Sequence, residues 1–236
     1  MFDVIVLTLM AGLAMPLGAL LATFGSVHPG WLENEFRHGV IAFGGGALLS
    51  AVALVLVPEG SEHVSIFAAL VFFFAGGLAF MWLDQVLARG HTPAGQLAAM
   101  LSDFIPESLA LGAAFALGGH EGLLLAVLMA LQNLPEGFNA YRELRDGGGV
   151  AGRRIILAFT VMALLGPLAG VTGFLWLSQY PFVIGAVMLF ASGGILYSVF
   201  QDIAPESRLE KRWVPAFGSV LGFGLGLMGH LLVLAR

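Results

Sequence analysis

Four short strings carry most of the chemistry available to this chain. A proline followed by a glutamate and a small residue occurs at Pro58-Glu59-Gly60, Pro106-Glu107-Ser108, Pro135-Glu136-Gly137 and Pro205-Glu206-Ser207. The two central copies extend backwards to Asp103-Phe104-Ile105-Pro106-Glu107 and Gln132-Asn133-Leu134-Pro135-Glu136. On a helix each string sets two oxygen-bearing side chains at i and i+4, on one face. If the two helices are antiparallel neighbours, Asp103 lies near the level of Glu136 and Glu107 near that of Gln132. Four oxygen ligands then converge, and carboxylate and amide oxygens suit harder divalent ions. The chain has no cysteine, so disulfides and thiolate ligands are both excluded.

The elements that must hold these strings are read from composition. Of 236 residues, 58% are hydrophobic and 11% charged, with a mean hydropathy of +0.93; an ordinary soluble domain is about 25% charged. The apolar residues come in runs of roughly 20, the length a helix needs to cross about 30 Å of hydrocarbon. Continuous runs without strand-like alternation argue against a closed barrel. The expected fold is therefore an all-α polytopic membrane protein, a single transmembrane domain over 1–236. Eight spans are expected, at about 3–25, 39–58, 64–87, 97–118, 122–141, 154–177, 181–203 and 214–235. The first has Asp3 and no basic residue ahead of its apolar core, so it reads as a span, not a signal peptide.

Basic residues orient the spans. Arg37, Arg89, Arg142, Arg145, Arg153, Arg154, Arg208, Lys211 and Arg212 all fall in the breaks after spans 1, 3, 5 and 7, and only Arg236 lies on the other side. Those breaks are expected in the cytoplasm, and both termini on the non-cytoplasmic side. An internal echo adds an arrangement. Gly45-Gly46-Ala47-Leu48-Leu49-Ser50 ahead of Pro58-Glu59 is matched by Gly193-Gly194-Ile195-Leu196-Tyr197-Ser198 ahead of Pro205-Glu206. The two strings sit on spans 2 and 7, which run in opposite directions. That predicts a 3+2+3 arrangement, with spans 1–3 and 6–8 as inverted repeats around central spans 4 and 5. Gly218, Gly222 and Gly226 share one face of span 8, as close helix packing requires.

Energetics bears on whether the central carboxylates can be incidental. A carboxylate at a helix centre costs about 2.5–3.5 kcal/mol on insertion scales, so Asp103, Glu107 and Glu136 together cost of order 8 kcal/mol before compensation. No packing role requires that. Three crowded carboxylates need a counter-charge, and no Lys or Arg lies inside the spans to provide it; a divalent cation or protons would. Pro106 and Pro135 each remove a backbone donor and free a carbonyl, at Ser102 and Leu131.

With the paired span 4 and span 5 strings, the Pro-Glu ends of spans 2 and 7, eight spans and outward termini, the chain resembles the ZIP (Zrt-, Irt-like protein) family of divalent metal transporters over essentially its whole length. The family string is His-Asn-x-Pro-Glu-Gly or a close variant. Asp103 stands at the span 4 His position, Phe104 at the Asn position and Glu107 at the Glu position; in span 5 these are Gln132, Asn133 and Glu136. The resemblance implies a metal site at Asp103, Glu107, Gln132 and Glu136. Members with two metals add the span 4 Asn and an acidic residue in span 6, but here the former is Phe104 and span 6 has no Asp or Glu, implying one site. The His-rich break after span 3 has shrunk to Arg89–Gln96, with His91 alone. Both signature histidines are replaced, so Zn²⁺, Mn²⁺, Fe²⁺ and Mg²⁺ all stay open.

Further residues extend the pathway. Glu59, Glu62, His63, His120 and Glu121 cluster in the two outer breaks and could collect cations. Asp202 and Glu206, four apart, form a candidate exit relay, and Asn133 a further ligand. His28, His38 and His91 lie on the cytoplasmic side, and His230 in span 8 is expected to pack against a hydrogen-bond partner. Tyr141, Trp176, Tyr180 and Trp213 fall where an interfacial aromatic belt would. The function expected is transport of a divalent metal into the cytoplasm across a bacterial-type inner (plasma) membrane, without an organic cofactor and without enzymatic chemistry. The expected partners are membrane lipids and metal ions, with a homodimer allowed and no nucleic acid. A metal-sensing protein of the same fold and an intramembrane hydrolase are the alternatives; the latter lacks a His-Glu-x-x-His string and a buried Ser-His pair.

Overall fold

A computed structural model describes residues 1–24, 35–88, 93–116, 121–146, 149–210 and 212–235. Within them the chain is helical, with no strand, and forms eight long helices. They are α1 (Phe2–Phe24), α2 (Arg37–Glu62), α3 (Ile66–Ala88) and α4 (Pro93–Ala116). The second four are α5 (Glu121–Asp146), α6 (Gly152–Gln179), α7 (Pro181–Ser207) and α8 (Val214–Leu234). Six of these, α1, α2, α3, α6, α7 and α8, are apolar enough to cross a membrane and run 21 to 28 residues, about 30–40 Å at 1.5 Å per residue. The chain is thus a polytopic membrane protein by length and composition. The other two, α4 and α5, carry the central polar strings.

Proline explains the irregular turns. Pro58 cannot donate to Leu54 and Pro205 cannot donate to Gln201, and each ring crowds that carbonyl. In both helices the turn just before the proline is widened to π geometry, Val52–Leu56 in α2 and Val199–Ile203 in α7. The backbone N–H of Val57 donates to Val52 O and that of Ala204 to Val199 O. In α6 the missing donor of Pro167 leaves the Ala163 carbonyl without its helical partner, and the helix breaks at Leu164. By contrast α4 and α5 run on through Pro106 and Pro135.

Four seams hold the bundle: α1 on α5, the second half of α6 on α4, α2 on α8, and α3 on α7. Glycine sets each. Gly18 lies against the Leu134 carbonyl and Gly137 against that of Met15; Gly173 lies against Leu109 and Gly112 against Gly170 in the same way. On the outer seams Gly46 meets the Ser219 carbonyl and Gly222 that of Phe43, while Gly193 meets Phe73 and Gly76 meets Phe190. A Cβ at any of these would strike backbone, which cannot rotate aside, so only glycine allows the approach. Gly218, Gly222 and Gly226 are buried on one face of α8 as expected. Gly46, not Gly45, stands against α8 as Gly193 stands against α3, one residue off the register of the sequence echo.

Burial orders the helices. Of their apolar windows, α2 is 67% and α7 56% buried, against 11% for α3 and 17% for α8. The inner pair therefore flanks the polar helices, and the outer pair presents residues such as Phe67, Phe74, Trp82 and Phe217 outwards. The start of α2 and the ends of α5 and α7 meet at one end of the bundle, joined by Arg37. Arg212 pairs with Glu35 at 3.0 Å on the adjoining segments. We call this the basic end. Trp176, Tyr180 and Trp213 are exposed at helix ends, as a belt requires, but Tyr141 is not part of it. It is buried, and its hydroxyl accepts a hydrogen bond from Arg145 at 3.0 Å.

Candidate metal site between α4 and α5

Spacing on α4 and α5 brings Glu107 and Gln132 together. The Gln132 amide Nε2 donates to both carboxylate oxygens of Glu107, at 2.7 Å each. Glu107 is fully buried and Gln132 is 4% exposed, so this contact is shut off from water. One turn along each helix, Asp103 and Glu136 are half-buried. Three oxygens in the region are buried without a hydrogen-bond partner, Asp103 Oδ1, Gln132 Oε1 and Ser108 Oγ. An unpaired buried acceptor of this kind is costly, of order 1–3 kcal/mol. Among the described residues, however, no three Asp, Glu or His side chains are arranged to hold one ion between them.

The neighbouring side chains of the two strings point elsewhere. Asn133 donates from Nδ2 to the Ala11 carbonyl of α1 at 3.0 Å, so its amide nitrogen is tied into the α1–α5 seam. Phe104 is 1% exposed, and its ring fills the space over Gly12 of α1 and Gly166 of α6. Ser108, beside Glu107, is buried with its Oγ unpartnered.

The seams also fix which residues of α4 and α5 correspond. Leu134 faces Gly18 as Leu109 faces Gly173, and Gly137 faces Met15 as Gly112 faces Gly170. In that register Glu107 corresponds to Gln132, the residue it contacts, while Asp103 corresponds to Leu128 and Glu136 to Leu111. Both leucines are buried, at 1% and 0% exposure.

Comparison with known proteins gives one similarity to report. A protein of Arabidopsis thaliana named "Putative zinc transporter At3g08650" is 27% identical over 223 residues, a match covering 86% of this chain. This chain is similar to it. The chain spans 34% of that relative's length. No family model matches the chain.

Towards the basic end the carboxylates continue. Asp202 and Glu206 lie on the last turns of α7. Asp84 on α3 accepts a hydrogen bond from the Tyr197 hydroxyl on α7 at 3.0 Å. Arg37 reaches Asn139 and Glu206, and the second contact is an ion pair of 2.9 Å. Asp84, Tyr197, Arg37 and Asn139 have no place in the Pro-Glu pattern. Their signal was weaker: a lone acid near a helix end, and an arginine that spoke first for orientation. At the opposite end Glu59, Glu62 and His63 lie on the last turn and exit of α2, with Glu62 exposed. His120, like His28 and His91, lies outside the described residues, as does the side chain of Glu121. His230 differs from expectation, since its buried Nδ1 has no hydrogen-bond partner.

Proposed function

We propose that this chain is a secondary transporter that carries a divalent metal ion into the cytoplasm, with Asp103, Glu107, Gln132 and Glu136 as its transport site. The observation that carries the reading is the buried Glu107–Gln132 contact, flanked by three unpartnered oxygens, inside a bundle of apolar spanning helices. Two N–H groups of Gln132 stand where a cation would stand against Glu107. Turning the amide over would withdraw them and offer Oε1 instead. Moving Asp103 and Glu136 inwards then completes an all-oxygen shell, and helix motion is a natural source of that movement. Similarity to a protein named as a zinc transporter supports metal transport in general; Mn²⁺ and Fe²⁺ fit the donors as well, and Mg²⁺ is allowed. The reading contains no enzymatic step.

We read all eight helices as spans in a 3+2+3 arrangement, with the basic end in the cytoplasm. Support for inverted repeats comes from the seams. Exchanging α1 with α6, α2 with α7, α3 with α8 and α4 with α5 turns the four seams into one another, and the two π turns fall on exchanged helices. Rocking of such repeats against α4 and α5 would give alternating access.

The test is uptake into proteoliposomes of Zn²⁺, Mn²⁺, Fe²⁺ and Mg²⁺ offered in competition. The wild-type chain should accumulate at least one of them, and Glu107→Ala and Glu136→Ala should abolish accumulation. Full uptake by both variants sinks the site. Binding by the wild type without any flux moves the reading to a metal sensor.

A further inference from the structure

We propose that Arg37 is a latch on the cytoplasmic exit, a tethered cation that a departing metal ion must displace from Glu206. The proposal rests on the transport reading above and goes beyond it. One guanidinium ties three helices together: Arg37 opens α2, its Nε donates to Asn139 Oδ1 on α5 at 3.0 Å, and its second arm pairs with Glu206 on α7 at 2.9 Å. Arg37 and Glu206 are 28% and 33% exposed, so the pair is only partly screened by water. Asn139 lies three residues beyond Glu136, about 4.5 Å further along the helix axis. The latch therefore sits next to the site, towards the basic end.

The repeat register shows that the fold does not require it. At the opposite end the residues corresponding to Arg37, Asn139 and Glu206 are Ile184, Ala114 and Glu59. Ile184 and Ala114 are buried, at 1% and 2% exposure, and apolar. There the exchanged ends of α2 and α7 close by backbone, Gly60 against Gly185. Arg37 at one mouth and Ile184 at the corresponding place in the other give an arriving cation different neighbours at the two mouths. The partner of Glu206 is itself a cation, so a divalent ion arriving there competes with Arg37 for the same oxygens. Displacing the guanidinium from Glu206 would release the end of α7 from α2, while Arg37 stays bonded to Asn139 on α5.

The absence of cysteine makes the latch testable without background. Ser102 is half-buried beside Asp103, and Ser102→Cys gives a single thiol for a membrane-impermeant cationic thiol reagent applied from the cytoplasmic side. Adding Arg37→Ala should raise the labelling rate about fivefold, the ratio that loss of one partly screened ion pair permits. Asn139→Leu, which removes only the neutral arm, should give a smaller rise, and the paired exchange Arg37→Glu with Glu206→Arg should return the rate towards the parent. Labelling of both Arg37→Ala and Asn139→Leu at the parent rate overturns the latch. Labelling does not depend on transport, so faster labelling without metal flux would retain the latch and remove the transport reading. Normal flux with unchanged labelling would do the reverse.

Discussion

Along the α4–α5 contact, the half towards the basic end and the half away from it share one backbone pattern and carry opposite chemistry. Glycine against carbonyl sets the same register on both sides, Gly137 on Met15 and Gly112 on Gly170. Yet the first half presents Asp103 and Glu136, and the second half presents Leu128 and Leu111, both essentially sealed. Glu107 and Gln132 meet at the boundary. Packing symmetry and chemical asymmetry are thus set by different residues: the seams by small side chains whose backbones must touch, the site by a few polar groups placed on one side only.

The largest effect should come from breaking the shared pattern. Gly137→Val drives a side chain into the Met15 backbone, which cannot rotate aside, so its cost exceeds the about 1–3 kcal/mol of ordinary side-chain overpacking. Loss of monodisperse protein on size exclusion is the expected result. Gly224→Val on α8 is the control, since a Cβ there meets nothing within 4 Å, and it should purify normally. Next comes an attempt to remove the asymmetry. Leu128→Asp adds a carboxylate on the sealed side, at about 2.5–3.5 kcal/mol, and should lower the unfolding temperature in detergent by roughly 10 °C. An unchanged temperature would mean that the leucine half is already wet.

The boundary pair comes third. Glu107→Leu leaves the Gln132 amide buried and unpaired, at about 1–3 kcal/mol, whereas Glu107→Leu combined with Gln132→Leu should be close to neutral. A double-mutant cycle on thermal unfolding should therefore give a coupling of about 1.5–3 kcal/mol. Coupling near zero would mean that the two side chains do not meet in solution.

Much of this was legible in the sequence, because helical spacing fixes faces and levels. The i, i+4 strings and antiparallel running put Glu107 opposite Gln132, and hydrophobic runs located the long helices. What spacing cannot fix is which helix a given face meets. Aligning Asp103 with Gln132 and Glu107 with Glu136 follows the repeated Pro-Glu motif; the seams instead pair Glu107 with Gln132, one helical turn away. That register is decided by Gly18, Gly112, Gly137 and Gly173 touching backbones far away in sequence, and a glycine-rich chain offers many competing choices. Arg37 was readable only as a charge on one side of the membrane, because Asn139 and Glu206 lie 102 and 169 residues away. Tyr141 looked interfacial from its position alone, and its burial follows from the α5 face that carries it.

The smallest expected effect separates the seam from the site within a single string. Asn133 follows Gln132 directly, and from sequence the two look like equal candidates for ligation. A one-residue step on a helix is about 100° of rotation, enough to turn Asn133 away from Glu107 and onto the Ala11 carbonyl. Asn133→Ala should then cost the net value of one buried hydrogen bond, about 1 kcal/mol, read as a modest fall in unfolding temperature. In a competition uptake assay, the order of preference among Zn²⁺, Mn²⁺ and Fe²⁺ should stay that of the wild type. Gln132→Ala, one residue earlier, should alter that order or remove uptake, because it deletes the amide oxygen that the proposed site would offer to the ion. A change of preference in Asn133→Ala would return this residue to the ligand shell and assign the asymmetry between the two halves to a wider set of groups.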